Sequence, residues 1–308
     1  MTSHPTALTP TAALLTAAGV AVALLAACSP ASEADVDAGA DASAEDSTEG
    51  STEGSTEGST EQAAPPAVED TSRLDEVLDA GSLAVCTTGD YPPFTELDEE
   101  TGEYTGIDVD MARDLAEHLA VEIDWVQTTW DDLMDDYLAE CDIAVGGISI
   151  NTARSEQVFF SAPLMEDGKT PITRCENVDE YRTIEQINDP DVTSIMPSGG
   201  TNEIFAQEHY PDGDLVTHDN LTIFDQIVDG EADVMTTDRS EVLWIAHEYD
   251  ELCAVNPDEP FDYFEKAYML PRGDTVMKHY VDQWLVMALN DGTYDEITEP
   301  WFGDDVDL

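Results

Sequence analysis

Two short apolar runs in this chain end in the same way. Asp142–Val145 (DIAV) passes directly into Gly146-Gly147, and Ala232–Met235 (ADVM) passes into TTDRSEVL before Glu241–His247 takes up helical spacing. A brief apolar run, a turn and then a 3.6-residue period is the pattern of a strand feeding a helix. The pattern recurs. Leu83–Cys86 runs into the Gly/Pro-rich turn TTGDYPPF, and Val109, Ala112, Leu115, Ala116 and Leu119 then follow at helical spacing behind Asp108, which reads as their N-cap. Ile123–Val126 is strand-like, whereas Trp130–Leu138 and Thr222–Val228 are helical. Alternation of this kind constrains the chain to largely parallel sheets covered by helices, with function in the loops after the strand C-termini. Roughly 240 residues of such sequence is large for one small sheet. The fold class is therefore read as α/β, with two lobes and a cleft between them.

The first 70 residues have a different character. Thr11–Ala27 is apolar and rich in small residues, of the length of a signal-peptide core and short for a spanning helix. It ends in Leu25-Ala26-Ala27-Cys28, which resembles a lipobox, so residues 1–28 read as a lipoprotein signal with lipid on Cys28. An ordinary signal peptide with an incidental cysteine is the alternative, and no Lys or Arg precedes the apolar run. Residues 29–70 are Ser, Thr, Glu, Gly, Ala and Asp with tandem STEG repeats, a composition that cannot bury a core and reads as an acidic tether. Lipid, tether and globular body together imply an exported, extracytoplasmic protein held to the membrane through Cys28.

Charge bounds the partners. The chain carries 69 acids and 10 bases, a formal charge of −59. All ten bases lie at or beyond Arg73 and only 12 of the acids lie in residues 1–70, so residues 71–308 alone carry −47. Such a surface repels nucleic acid and anionic lipid head groups, so no nucleic-acid partner is expected. It also repels itself in dilute buffer, which points to a high-salt habitat where screening is short-ranged.

Scarcity makes the surviving cations informative. Arg154 follows the Gly-rich strand exit GGISINTA, placed for a bidentate grip on a carboxylate; a surface ion pair is the plainer reading. Lys169, in EDGKTPIT, precedes an extended segment and can bind an anion or orient a carboxylate; a solvated loop lysine is equally compatible with the residues. Ser198-Gly199-Gly200-Thr201-Asn202 precedes the helical pattern EIFAQEH, and glycines there leave backbone N–H groups free to face an anion. Asp90 and Trp130 fall at turn exits, Trp130 fitting core packing as well as ring stacking. Asp238 and Glu241 are three residues apart and share a helix face if helical. The chain has no G-x-S-x-G, P-loop, dinucleotide glycine fingerprint or H-E-x-x-H, and its cysteines form no C-x-x-C, so neither nucleophilic hydrolysis nor a zinc site has support.

Residues 73–303 resemble the bacterial extracellular solute-binding family that serves amino-acid ABC transporters, through GIDVDMARDLAEHL, GGISINTARSEQVFFSAPL, SGGTN and DGTYDEITEPWFG. The resemblance implies the type II periplasmic-binding-protein fold, two α/β lobes joined by two crossover strands with the ligand in the cleft. Within that family, TTGDYPPF, DGKTPIT, GGTNEIFA, DNLTIFDQIVDGEADVMTTD, ELCAVNP and PFDYFEKAYMLPR are similar to the cyclohexadienyl dehydratases. Those enzymes convert prephenate to phenylpyruvate, or arogenate to phenylalanine, losing water and carbon dioxide without a cofactor. By that resemblance Glu241 matches the general acid and Lys169 an active-site lysine. Arg154 matches the arginine on a substrate carboxylate, and Asp90, Trp130, Ser149, Gly200, Thr201, Asn202 and Asp238 match substrate-binding positions. In transport binding proteins the residue matching Asp238 commonly grips the ligand's α-amino group.

The resemblance also sets out the lobes: residues 71–168 with 266–308 as lobe 1 and 169–265 as lobe 2, with crossovers near Lys169–Thr173 and Phe264–Leu270. Cys175 and Cys253 then share lobe 2 and are expected as a disulfide. Cys86 and Cys141, at different heights on neighbouring strands, are expected as free buried thiols. Pro197-Ser198 stands where the dehydratases have Asn-Pro, which removes an amide from the substrate's surroundings. The alternative function is a non-catalytic amino-acid-binding lipoprotein delivering to an ABC permease.

Overall fold

The computed structural model describes residues 71–302. The signal segment, Cys28 and the tether lie outside the described residues.

Two five-stranded sheets organise the body. In the first, the strands run Glu122–Gln127, Ser82–Thr87, Ile143–Ala144, Met269–Leu270 and Phe159–Phe160. Its first three strands are parallel, and the last two pairings are antiparallel. In the second the order is Asp214–Thr217, Thr193–Met196, Val234–Asp238, Lys169–Arg174 and Leu252–Ala254, again parallel at one side and antiparallel at the other. The inner parallel strands Ser82–Thr87 and Thr193–Met196 are largely buried, whereas the edge strands Glu122–Gln127 and Asp214–Thr217 keep exposed residues.

Helix Ile107–Leu119 lies on the first sheet through Ile107, Met111, Leu115 and Leu119, all buried, and the long helix Thr275–Asp291 adds Met277, Val281, Trp284, Leu285 and Ala288 at three- and four-residue intervals. The second sheet packs Ile172, Ile195 and Met235 against Ile223, Phe224 and Ile227 of the helix Ile223–Val228 and against Val242 and Ile245 of the helix Arg239–Glu248.

The chain crosses between the sheets on Met165–Asp167 and Phe264–Lys266, which pair with each other antiparallel. The first crossover therefore lies earlier than Lys169–Thr173. Residues Lys169–Arg174 are instead an interior strand of the second sheet, paired on both sides and buried up to Thr173, which accounts for the extended character that reads like a crossover.

Two further expectations need correction. Asp108 is not a cap: the helix is entered at Gly106, and Asp108 is the helix's second residue. Its buried carboxylate instead accepts from the backbone N–H groups of Gly146 and Gly147, at 3.0 and 2.6 Å, and from the Tyr268 hydroxyl at 3.0 Å. It holds the Gly146-Gly147 turn in place from beneath. Cys86 and Cys141 are not free thiols but a disulfide, with Cα atoms 5.8 Å apart. Cys86 is level with Ala144 on the adjacent strand, so Cys141 is indeed offset along the chain. The offset does not matter, because Cys141 sits in the turn after helix Leu133–Glu140, where Asp142 N–H bonds to Ala84 O and brings that turn alongside the Ser82–Thr87 strand. Cys175 and Cys253 form a second disulfide at 4.8 Å between Cα atoms.

Candidate active site

The Val234–Asp238 strand is wholly buried and ends at the cleft, delivering Thr237 and Asp238, and the helix that follows carries Glu241 in its first turn. Asp238 occupies the helix N-cap position, yet its carboxylate makes no capping bond. Both its oxygens point instead at cations. Lys169 Nζ bonds to Oδ1, and Lys266 Nζ lies 2.5 Å from Oδ2, where the Tyr91 hydroxyl also donates at 2.6 Å. Burial works against the charge on Asp238, but the two ammonium groups more than offset it and hold the carboxyl well below the usual range.

Lys169 and Lys266 are each 2% exposed, and they are two of only three lysines in the chain. Lys169 starts the interior strand of the second sheet and also donates to Thr201 Oγ1 at 2.9 Å and to Asn202 Oδ1. Lys266 ends the second crossover strand. It donates to Gly147 O at 3.0 Å, lies 3.6 Å from Asp167 Oδ2 and stands over the rings of Tyr91 and Phe94. Gly147 takes a left-handed φ of 68°, and a Cβ there would come within 2.7 Å of both rings, so only glycine lets the turn meet Lys266.

Glu241 lies behind this ion cluster, 1% exposed. Thr237 Oγ1 donates to its Oε2 and receives a bond in turn from Asn202 Nδ2 at 2.9 Å, while Oε1 is buried with no partner. Burial, reinforced by the charge of Asp238, pushes the Glu241 carboxyl up to about 8, so it carries a proton at neutral pH.

A small pocket opens in front of the cluster, lined by Tyr91, Trp130, Gly147, Ser149, Arg154, Pro197, Gly199, Gly200, Thr201, Asn202, Asn220 and Asp238. Of the residues singled out from sequence, Trp130, Ser149, Arg154, Gly200, Thr201, Asn202 and Asp238 stand on its wall. Lys169 and Glu241 stand one layer behind, reaching the wall through Thr201 and Asn202 and through Thr237. Asp90 faces a neighbouring groove at the cleft mouth, its carboxyl raised by burial and one oxygen without a partner.

Arg154 is the cavity's uncompensated cation. It sits in the short helix Thr152–Ser155, started by Asn151, whose side chain accepts from Arg154 N–H at 2.8 Å. It is 8% exposed, and its guanidinium makes one hydrogen bond, from Nη1 to Ser149 O at 2.9 Å, with no acid in ion-pair contact among the described residues. Burial lowers its pKa, and the charge of Asp238 works the other way. A buried guanidinium with open donors suits a bidentate anion. The Gly-rich turn contributes less than its sequence implies, because the Gly199 N–H is taken by Glu203 Oε2 at 2.6 Å.

Lys266, Tyr91, Thr237 and Asn220 were not singled out by sequence. The scarcity of lysine, with Lys266 inside the apolar stretch FEKAYML, is a signal that finds the first of them. Tyr91 and Asn220 make their contacts only by lobe apposition, Tyr91 to Asp238 and Asn220 Nδ2, after the second sheet's edge strand, to Asp90 O at 2.7 Å beside the first sheet, whereas Thr237 bonds within the second lobe to Glu241 and Asn202. Among the described residues no group of three or more His, Cys, Asp or Glu side chains could hold a metal ion.

The sequence model of the bacterial extracellular solute-binding proteins, family 3, matches residues 83–304. The chain belongs to this family. Its two mixed sheets joined by a crossover pair are the type II periplasmic-binding-protein fold. Among members of family 3, the chain is 50% identical over 232 residues to cyclohexadienyl dehydratase of Pseudomonas aeruginosa, covering 75% of this chain and 86% of that protein. It is 27% identical over 240 residues to an L-cystine-binding protein of Escherichia coli, covering 77% and 88%. An ancestral amino acid-binding protein, described as a precursor of cyclohexadienyl dehydratase, has the same fold at a TM-score of 0.68 and 34% identity, covering 75% of this chain and all of that one. Family 3 thus contains both binding proteins and a dehydratase, and the dehydratase is much the more similar in sequence to this chain.

Proposed function

We propose that the protein is a cofactor-free cyclohexadienyl dehydratase, a carbon–oxygen lyase that converts prephenate to phenylpyruvate, or arogenate to phenylalanine, in phenylalanine biosynthesis. The observation that carries this reading is Glu241: a fully buried acid, protonated at neutral pH, with one free oxygen, one layer behind a pocket whose wall carries Arg154. A binding protein has no need of a buried neutral acid. The 50% identity to the Pseudomonas enzyme supports the same reading.

The chemistry asks little covalent work of the chain. Glu241 gives its proton to the departing ring hydroxyl, the carbon–oxygen bond breaks, and the electron pair of the bond to the ring carboxylate moves into the ring as carbon dioxide leaves. Prephenate dianion and one proton thus become phenylpyruvate, carbon dioxide and water, and Glu241 recovers its proton from solvent. Arg154 holds one substrate carboxylate, with Thr201, Asn202 and Ser149 along the same wall and the Trp130 ring over the substrate. Lys169 orients Thr201 and Asn202. Because Oε1 must reach the hydroxyl, the packing around Asp238 loosens when substrate is bound; catalytic hydrogen bonds commonly tighten only in the complex. General-acid assistance of this kind is worth roughly 10²–10⁴-fold, and positioning adds to it.

The same reading places the enzyme outside the cytoplasm, tethered through residues 29–70 to lipid on Cys28 and suited to high salt. The test is to incubate residues 71–308 with prephenate in high salt and follow phenylpyruvate, beside Glu241→Gln. Product that depends on Glu241 supports the dehydratase. No product, with calorimetry showing tight binding of an amino acid, makes the chain a binding lipoprotein for an ABC permease.

A further inference from the structure

The helix that carries Glu241 is capped from another part of the chain. Asp238 holds its N-cap position but turns its carboxylate to the two lysines, which leaves the first N–H groups of the helix to other acceptors. The crossover strand Met165–Asp167 and the glycine after it supply them. Gly168 O accepts from Arg239 N–H at 2.8 Å, and Asp167 Oδ1 accepts from Ser240 N–H at 3.3 Å. The Ser240 hydroxyl donates to Asp167 Oδ2 at 2.6 Å, and Gly168 N–H donates to Oδ1 at 2.8 Å. Asp167 thus makes the bond of an N-cap side chain to the helix's second residue, from 73 residues earlier in the chain.

Asp167 also faces the ion cluster. It is buried, and its Oδ2 lies 3.6 Å from Lys266 Nζ, so that lysine serves two carboxylates. The charged and titratable groups that act on Glu241 are Asp238, Lys169, Lys266 and the Tyr91 hydroxyl. Two ammonium groups against one carboxylate leave an excess of one positive charge there, and Asp167 cancels it. Burial pushes the Asp167 carboxyl up and the Asp238 charge adds to that, whereas Lys266 and the Ser240 and Gly168 donors hold it down. Each of these bonded partners donates, an arrangement built for a carboxylate. We propose that Asp167 is a positioning residue for the proton transfer: from the crossover strand it fixes the helix that presents Glu241 and balances the lysine pair beside that acid. The proposal rests on the dehydratase reading for the reaction and on the Asp167 contacts for the residue.

The experiment is the pH profile of kcat and KM for prephenate, measured on the purified wild type, Asp167→Asn and Asp167→Ala. Asn keeps an oxygen for the Ser240 and Gly168 N–H groups but carries no charge. Without that negative charge Glu241 becomes a stronger acid, so the alkaline limb of kcat, at about 8 in the wild type, should move down by roughly one pH unit. The rate of Asp167→Asn is then about tenfold below wild type at pH 9 and similar to it at pH 6. Ala removes the cap as well, and should lower kcat roughly tenfold at pH 6 too. KM should stay within about threefold of wild type in both, because Asp167 is not on the pocket wall. An unmoved limb in Asp167→Asn, wild-type kcat at pH 6 in folded Asp167→Ala, or a loss carried by KM instead of kcat overturns the proposal. Asp167→Asn decides the matter if Asp167→Ala fails to fold. If the wild type turns over neither prephenate nor arogenate, the dehydratase reading falls by itself. A carboxyl-carbon NMR titration of Glu241, assigned by its absence in Glu241→Gln, then tests the charge balance alone, and equal midpoints in wild type and Asp167→Asn overturn it.

Discussion

Thr237 donates its hydroxyl hydrogen to Glu241 Oε2 across four residues of chain, and the other oxygen of that carboxyl is buried with no partner at all. A carboxylate so placed is costly as an anion and inexpensive as an acid, which is why its pKa rises to about 8. An acid needed in its protonated form loses activity as pH rises through that value. The kcat for prephenate should hold level near neutrality and fall about tenfold per pH unit well above 8. Glu241→Gln should lower kcat by roughly 10²–10⁴-fold with little change in KM. A variant with wild-type kcat would remove Glu241 from the chemistry.

The same shift is a statement about stability. Glu241 titrates near 8 when folded against an ordinary 4.5, so between those values the folded protein keeps a proton that the unfolded chain has released. Its contribution is fully present below about pH 4.5 and is lost as pH rises through about 8. At about 1.4 kcal/mol per unit, the loss amounts to a few kcal/mol. Glu241→Gln, which cannot ionise, should therefore unfold at a higher temperature than wild type at pH 9 and show a smaller advantage at pH 5. Thermal scans across that range check the sign; a gap that does not widen with pH contradicts the burial account.

Arg154 illustrates what was legible in advance. In a chain with ten cations, one at a Gly-rich strand exit stands out, and the structure buries it on the cavity wall beside Ser149. Lys169 stood out for the same reason. Lys266 followed the same rule but was hidden in a strand pattern, where a lysine reads as an edge residue rather than a buried one. The α/β alternation was legible because each sheet's strands are short apolar runs between helical periods. The Tyr91–Asp238 and Asn220–Asp90 bonds were not, because they span 147 and 130 residues and no local pattern records which loops the two sheets bring face to face.

The isolation of Arg154 yields a separable pair of effects. Without an acid partner among the described residues it costs folding free energy, and under the proposed function it serves a substrate carboxylate. Arg154→Met should leave the melting temperature unchanged or raised, while KM for prephenate rises roughly 10- to 100-fold, as expected for loss of charged hydrogen bonds of about 1.5–3 kcal/mol. Arg154→Lys should recover only part, since an ammonium cannot grip both carboxylate oxygens in a fork. Destabilisation without a change in KM would return Arg154 to a structural role.

The Cys86–Cys141 bond closes a 55-residue separation and ties helix Leu133–Glu140 to the strand that leads into the cleft. Purified oxidised protein should resist alkylation until it is both reduced and unfolded. Replacing both residues by Ala should cost about 2–4 kcal/mol in denaturant titrations. Free thiols in protein exported to an oxidising compartment would contradict the pairing.

The entrance to the cleft is acidic, and so is prephenate, the substrate proposed for it. The groove beside the cavity is lined by Asp90, Asp131, Asp132 and Asp219 along with His218, and three of these acids are exposed. A dianion entering through them is repelled over distances that shrink as salt is added, from about 10 Å at 0.1 M to about 3 Å at 1 M. The cavity's own cations are buried and screened far less. Raising sodium chloride from 0.1 to 2 M should therefore increase kcat/KM for prephenate, through KM, where most enzymes acting on anions lose affinity. Asp131→Asn with Asp132→Asn should raise kcat/KM at low salt and flatten its salt dependence, because those two carboxylates contribute to the entrance and not to the cavity wall. Rates that fall with salt, or a double variant whose salt response matches wild type, would mean that the mouth does not control entry.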